Sequence, residues 1–256
     1  MWRVIKRMYQ VTKSSVLLDG EISNQFDISQ GVAQGCSLSP ILFSVFINDL
    51  LNEVEKSGSG ISISEDCKVG GLMFADDFVG LAGDKDDLQK LIDVVYAFCK
   101  KWRLRANIKK SAVKVFYKNI ASTSGRWSWG DNEIAKVDSY CYLGVDFAFN
   151  GSWDIHINKV VSNGRKKLNQ LNRLLSNRGI NISARRLLLL VVLRPSLEYG
   201  SEIWNCNKKF QQALEALQLG AAKRILGCSS KTCNEAVWGD MGLETLDIRR
   251  KRAKTK

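Results

Sequence analysis

Two adjacent carboxylates, Asp76 and Asp77, interrupt an otherwise apolar stretch. Val69-Gly70-Gly71-Leu72-Met73 leads into Phe74-Ala75, and Phe78-Val79-Gly80-Leu81 follows. Apolar runs of that length bounded by glycine read as buried strands, and a polar pair between two of them reads as a hairpin turn. The stretch thus commits the chain to a sheet that carries two acids at its edge. Such acids suit magnesium, a hard ion held by one or two carboxylates plus substrate phosphates at about 2.0–2.1 Å. Taken alone, Phe74-Ala75-Asp76-Asp77 is more simply a solvated turn, because aspartates are common there. The sequence upstream decides between the two.

The 256 residues suffice for a good core in one domain or two smaller ones, and the 45% apolar and 25% charged fractions are those of a globular protein. The net charge of +12 is unevenly placed: residues 1–150 carry 18 cations and 18 acids, residues 151–256 carry 20 and 8. The whole excess therefore lies in the second part, which is the expected polyanion-facing surface, with a merely soluble basic surface as the plain alternative. Seven cysteines without a C-x-x-C pair and one histidine, His156, build no zinc-finger spacing. They read as reduced thiols in an intracellular compartment, nucleus or cytoplasm. Met1–Arg7 lacks the apolar core of a signal peptide. The apolar run Leu187–Leu193 is far short of the ~20 residues a membrane span needs, so no membrane partner is expected.

In chain order, Trp2–Tyr9 has helical spacing without an N-cap, and Ser15–Leu18 and Gln25–Ile28 are strand-like, with a hairpin signal at Asp19-Gly20. Gly31-Val32-Ala33-Gln34-Gly35-Cys36-Ser37-Leu38-Ser39-Pro40 follows, and its two glycines let backbone approach a ligand. Ser39 is the expected N-cap and Pro40 the first helical residue of a helix with apolar positions 42, 43, 46, 47, 50, 51 and 54. As an isolated glycine loop this is more often a turn than a site.

In this order and at this separation, Gly-Val-x-Gln-Gly-x-x-Leu-Ser-Pro and Phe-Ala-Asp-Asp resemble two motifs of the reverse transcriptases of non-LTR (LINE-type) retrotransposons. The first is similar to the family's template- and nucleotide-contacting loop and helix, which implies roles for Gly31, Gln34, Gly35, Ser37, Ser39 and Pro40. The second is similar to the catalytic hairpin, which implies Asp76 and Asp77 as metal ligands for two Mg2+ ions. Ala33 departs from the proline or arginine more usual there.

Past the hairpin, Asp84 or Asp86 can cap a helix with apolar positions 88, 91, 92, 95, 98, 99 and 102. Asn107 with Lys110-Ser111 is similar to the family's next motif, whose lysine assists pyrophosphate departure; a basic loop after a helix is the plain reading, and Lys109 competes for the role. A strand-like piece follows at Ala112–Tyr117, then a linker over Ala121–Gly130 that enters another hairpin. Tyr142-Leu143-Gly144 resembles the primer-gripping hairpin, although Tyr-Leu-Gly in a strand is core packing in most proteins. From Ser152 the pattern turns helical: a first helix carries Lys159, Arg165, Lys166, Lys167 and Arg173, a second runs from about Ser183 towards Pro195, and a third from Lys208 to Leu226 with Gly227 as its stop. This region looks like the family's thumb, where cations neutralise phosphates without reading sequence. Arg249–Lys256 reads as a solvated tail, and Trp204, Trp238 and His156 as core or surface residues.

The resemblance implies an α+β fold: a polymerase palm, an antiparallel sheet with helices on one face, followed by a helical thumb. Its parts are a partial palm over 1–120, a primer-grip-like hairpin over 121–150 and a basic helical region over 151–256. The implied chemistry is two-metal nucleotidyl transfer on an RNA template and DNA primer with deoxynucleoside triphosphates. In the family three carboxylates bridge the ions, the first on a strand upstream of the glycine loop. No Phe-x-x-Asp strand motif precedes Gly31, and Asp19, Glu21 and Asp27 are more simply turn or surface groups. The expectation is a chain lacking the fingers and the first acid. It would be inactive or nearly so alone, since losing a metal-bridging acid removes several kcal/mol of transition-state stabilisation and each ~1.4 kcal/mol is tenfold in rate. The missing amino-terminal part would come from a longer chain or a partner. The alternative is a non-catalytic nucleic-acid-binding remnant of a mobile element; an unrelated basic scaffold would require both ordered motifs to be coincidental.

Overall fold

The computed structural model describes residues 2–10, 12–28, 31–65, 67–116 and 125–255. Its first elements are α1 (Trp2–Gln10), β1 (Lys13–Ser14), β2 (Leu17–Leu18), β3 (Glu21–Ile22), β4 (Phe26–Asp27), α2 (Ser39–Lys56), β5 (Ile61–Ser64), β6 (Cys67–Val69), β7 (Gly71–Phe74), β8 (Asp77–Gly80) and α3 (Lys85–Lys101). Then come β9 (Ala112–Val113), β10 (Trp127–Trp129), β11 (Asn132–Lys136), β12 (Ser139–Tyr142) and β13 (Val145–Ala148). The remainder is helical: α4 (Asp154–Ser176), α5 (Ile182–Leu188), a π-helical turn (Leu189–Leu193), α6 (Arg194–Glu198), α7 (Lys208–Leu226), α8 (Asn234–Met241) and α9 (Leu246–Lys254). Positions 117–124, which take in the end of the expected strand Ala112–Tyr117 and the start of the expected linker Ala121–Gly130, lie outside the described residues; the rest of that linker is not a linker but carries β10, paired with β11. Mixed helices and small sheets make the fold α+β. Among the described residues no helix is long and apolar enough to cross a membrane.

The chain divides into two compact units, Met1–Ser111 with Gly125–Ile134, and Ala112–Ser124 with Ala135–Lys256. In the first, Asp19 (φ +51) and Gly20 (φ +89) form the expected turn, but the partner of β2 is β3, while β4 pairs with β1. Leu50 and Val54 of α2 pack with Leu91, Val95 and Phe98 of α3, and Met73, Phe78 and Trp129 close over them. Burying each such side chain contributes about 1.5–3 kcal/mol, so this small cluster holds the unit. Asp84 caps α3, its carboxylate accepting the Asp87 N–H at 2.8 Å. The β10–β11 hairpin is tied to α3 by Gln89, which donates to the Ser128 carbonyl and accepts its N–H, both at 2.9 Å.

Ser39 is not the N-cap that the sequence leads one to expect. Leu38 occupies that position without a side-chain bond, and Ser39 lies inside the first turn, buried, with its hydroxyl 3.3 Å from that of Tyr9. A tertiary partner 30 residues away has claimed the hydroxyl a cap would use.

In the second unit, β9 pairs in parallel with Ala135–Lys136, and β12 with β13 in an antiparallel hairpin. The core lies among the helices, with Ile157, Leu168 and Leu175 of α4 against Leu214, Ala221, Ala222 and Ile225 of α7. Leu189, Leu193 and Leu197 recur every fourth residue and are all at most 1% exposed. Four residues of α-helix overshoot a full turn by about 40°, so a strict four-residue repeat drifts off the core face. The wider π turn at Leu189–Leu193 takes back part of that drift.

Arg185, buried in the same region, donates to the carbonyls of Leu175 (3.1 Å), Ile225 (2.8 Å) and Ile180 (3.0 Å). Leu175 and Ile225 lie in the last turns of α4 and α7, so one cation serves the negative ends of two helices. Of the stretch expected as a solvated tail, Arg249–Lys254 lie in α9, which is docked by Arg249 bidentate on Glu198 (2.5 and 3.1 Å) and Arg252 bidentate on Glu244 (3.0 and 3.0 Å), while 251–255 are exposed. The docking went unseen because Glu198, the partner of Arg249, lies far back in the chain.

Arg185→Leu is expected to lower the unfolding free energy by about 2–4 kcal/mol in urea denaturation, because it leaves buried carbonyls unpaired. Arg185→Lys should recover only part, since one ammonium cannot reproduce the fork.

Candidate active site and nucleic-acid surface

The β7–β8 hairpin pairs Phe74 with Asp77, Met73 with Phe78 and Gly71 with Gly80. Side chains alternate between faces along a strand, so the packing of Met73 and Phe78 onto α2 and α3 leaves Phe74 and Asp77 on the outer face. The inner glycines permit that approach: a Cβ on Gly80 would lie 2.6 Å from Leu91, and one on Gly71 2.8 Å from Phe78. The turn consists of Ala75 and Asp76, with Asp77 as the first residue of β8. Ala75 has φ +53, a region glycine occupies without cost. Asp76 and Asp77 are exposed, and among the described residues neither carboxylate has an ion pair or a hydrogen bond.

Two adjacent, unpaired carboxylates at the tip of a hairpin are hard oxygen donors of the kind magnesium takes, and they fit such an ion as part of its ligand set. Among the described residues no group of three His, Cys, Asp or Glu gathers. The hairpin thus offers two acids and leaves the rest of a coordination shell to other oxygens.

Gly31 (φ +84) and Gly35 (φ +86) both have left-handed backbones with open space around them. Their glycine requirement comes from conformation, and the space is room for something to approach. Gln34, Ser37 and Pro40 are exposed, whereas Ser39 is buried. Between them Cys36 has a thiol held below its usual value, chiefly by the Leu38 N–H and then by the Ser39 hydroxyl and N–H. Lys110 is exposed in a turn in which the Asn107 carbonyl accepts the N–H groups of Lys110 and Ser111 at 3.0 Å each.

In the second unit, Tyr142-Leu143-Gly144 is the tip of the β12–β13 hairpin. Leu143 (φ +46) and Gly144 (φ +79) are both left-handed, the pattern of a type I′ turn. Behind them Asp146 is buried, with its carboxylate 2.8 Å from Lys159 Nζ and 3.3 Å from His156 Nδ1. Burial works against its charge, but the hydrogen bond from Lys159 and its positive charge outweigh it and hold the carboxyl below its usual value. Lys159 is thereby committed to an internal partner. Arg165, Lys166 and Arg173 are exposed on α4 beside Asn158, Ser162, Asn169 and Asn172, and Lys167 is half-buried. After Asp154, α4 contains no acid. Its outer face is therefore cations interleaved with amides and a hydroxyl, groups that pair with phosphate oxygens.

The sequence profile described as Reverse transcriptase (RNA-dependent DNA polymerase) matches residues 2–147, more than half of the chain. The chain belongs to the reverse transcriptase family. It is 25% identical over 89% of its length to the RNA-directed DNA polymerase from mobile element jockey of Drosophila melanogaster, and 23% identical over 95% to the probable RNA-directed DNA polymerase from transposon X-element of the same fly. It is 25% identical over 54% to the Pol polyprotein from the type-1 retrotransposable element R2 of Popillia japonica. These are polymerases of non-LTR, LINE-type elements, as the two motifs indicate. This reverse transcriptase chain spans about a quarter of the length of the curated relatives it matches, 25, 27 and 24% in these three cases.

Two residues of this reverse transcriptase chain, Tyr199 and Asp146, went unread in the sequence, and His156, read as a core or surface residue, is buried. Tyr199 donates its hydroxyl to the Leu143 carbonyl at 2.8 Å. His156 accepts the Asp146 N–H at 3.2 Å, and Asp146 itself sits in an apolar strand. An acid inside Val145-Asp146-Phe147-Ala148 is a signal for a buried partner; nothing in the sequence marks Tyr199.

Ala75→Gly should raise stability by about 1 kcal/mol in urea denaturation, because the left-handed position then has no Cβ to accommodate, while Ala75→Val should lower it. The depressed Asp146 value contributes stability that is present above the carboxyl's unfolded value and lost as pH falls through the folded one. Lys159→Met should therefore lower the urea midpoint at pH 7 and converge with the parent chain in strong acid.

Proposed function

We propose that this chain is the palm-to-thumb part of a retrotransposon RNA-directed DNA polymerase, extending a DNA primer on an RNA template by nucleotidyl transfer. The observation that carries the proposal is the hairpin holding Asp76 in its turn and Asp77 on its outer face, both unpaired, in the same unit as the Gly31–Pro40 loop. Residues 1–120 are read as partial palm, 121–150 as the primer-grip-like hairpin and 151–256 as a basic thumb region.

Asp76 and Asp77 would hold two magnesium ions together with substrate phosphates and a third acid. When bound, that pair of ions activates the primer 3′ hydroxyl and stabilises the departing pyrophosphate. The left-handed glycines at 31 and 35 let the loop backbone approach template and nucleotide, with Gln34, Ser37, Ser39 and Pro40 around them. Lys110 is assigned to neutralise or protonate the leaving pyrophosphate. Tyr142, Leu143 and Gly144 position the primer end, and Arg165, Lys166, Lys167 and Arg173 bind phosphate backbone, with Lys159 shared with Asp146. The third acid is assigned to the amino-terminal part of a longer chain or to a partner.

A second reading, a chain that holds nucleic acid without catalysis, is favoured by α4 alone, whose cation-and-amide face needs no metal.

Magnesium-dependent primer extension on an RNA template, beside Asp76→Asn/Asp77→Asn, tests the chemistry. The 256-residue chain alone should not extend, and adding a polypeptide that carries the third acid should give extension that the double variant abolishes. Extension by the chain alone would show that the ligand set is complete without it; none even after addition favours the second reading. Duplex binding should weaken with salt, and Arg165→Ala/Lys166→Ala/Arg173→Ala should reduce the slope of log K against log salt by about 2–3.

A further inference from the structure

The tip of the β12–β13 hairpin breaks a backbone rule. Leu143 has φ +46, a region that L side chains adopt at a cost, and it is 37% exposed, so core burial does not offset that cost. Tyr199 supplies the missing support. Its hydroxyl donates to the Leu143 carbonyl at 2.8 Å, and its ring lies so close that a Cβ on Gly144 would sit 3.0 Å from Cε1. The contact is reciprocal: a Cβ on Gly200, the residue after Tyr199, would sit 3.1 Å from Val145 Cγ2, and Val145 follows Gly144.

Tyr199 is itself anchored. Its carbonyl accepts from Trp204 Nε1 at 3.2 Å, Trp204 is 1% exposed, and its ring meets that of His156 edge-on at 6.0 Å. His156 in turn accepts the Asp146 N–H of β13. A closed circuit thus runs from β13 through His156, Trp204 and Tyr199 back to the turn. Tyr199 is 57% exposed, so its ring adds little to the core and its polar end works at the turn. It also lies outside residues 2–147, the part that matches the family profile.

We propose that Tyr199 is a positioning residue that sets the Leu143-Gly144 turn against the primer 3′ end. The inference rests on the reading of Tyr142-Leu143-Gly144 as a primer grip. With its carbonyl held by Tyr199, the Leu143-Gly144 peptide cannot rotate, and the tip is offered to nucleic acid in one conformation.

The test is the affinity of the 256-residue chain for an RNA–DNA duplex with a recessed DNA 3′ end, against the same duplex made blunt, by fluorescence anisotropy without nucleotide. The parent chain should prefer the recessed end. Tyr199→Phe should lower that preference by about tenfold, equivalent to ~1.4 kcal/mol, or erase a smaller one, with blunt-duplex affinity unchanged. Lys166→Ala should weaken both duplexes alike. If the parent chain shows no preference, or Gly144→Ala leaves it intact, the primer-grip reading fails and the inference with it. If Gly144→Ala erases the preference and Tyr199→Phe does not, the inference alone is overturned. It is also overturned if Tyr199→Phe weakens both duplexes equally, because the tyrosine would then be merely structural.

Discussion

The register of one hairpin decides what the first unit offers to solvent. Met73 opposite Phe78 turns inward onto α2 and α3, so Phe74 opposite Asp77 must turn outward. A slip of one residue would exchange the faces and bury a carboxylate, which is far costlier than burying a phenyl ring. The register therefore follows from the hydrophobic effect, and the exposure of the acids follows from the register. Gly71 and Gly80 add a steric condition, because a side chain at either position would push the hairpin away from the core that orients it.

The second unit solves a different problem, that of joining helix ends inside a core. Leu175 and Ile225, in the last turns of α4 and α7, would leave carbonyls unpaired in an apolar setting if Arg185 were not there. Among the described residues the guanidinium has no carboxylate partner, so its charge is balanced by helix dipoles and three carbonyls. Gln218 plays a smaller version of the part: fully buried, it accepts from Arg194 at 3.1 Å and donates to the Glu244 carbonyl at 3.0 Å.

What was legible in the sequence was periodic or local. The stripe of α2, the Asp84 cap of α3, the span of α7 and its left-handed stop at Gly227 (φ +69) all follow from spacing and from residues a few places apart. The acid pair was legible as a hairpin because apolar runs flanked it, although the turn takes Ala75 and Asp76 and leaves Asp77 in the strand. What was not legible depends on partners distant in sequence. The Ser39 hydroxyl pairs with that of Tyr9, Lys159 is drawn to Asp146, and Arg249 of α9 is held by Glu198. No window of a dozen residues contains any of those pairs. The π turn arises from a clash between a four-residue repeat and the α pitch, which appears only once the core face is known.

The positive-φ residues connect these points to function. Among the described residues four that are not glycine have such backbones: Asp19, Ala75, Arg103 and Leu143. Asp19 sits in a hairpin turn that aspartate tolerates, and Arg103 follows the end of α3, where a left-handed residue commonly closes a helix. Ala75 and Leu143 have neither excuse, and both lie at the tips of the hairpins that carry the motifs. Strain of this kind persists only where the surroundings over-determine it. At Leu143 the surroundings are visible in Tyr199. At Ala75 they reduce to the β7–β8 ladder and the inward packing of Met73 and Phe78. The placement of Asp76 is therefore only as firm as that small core.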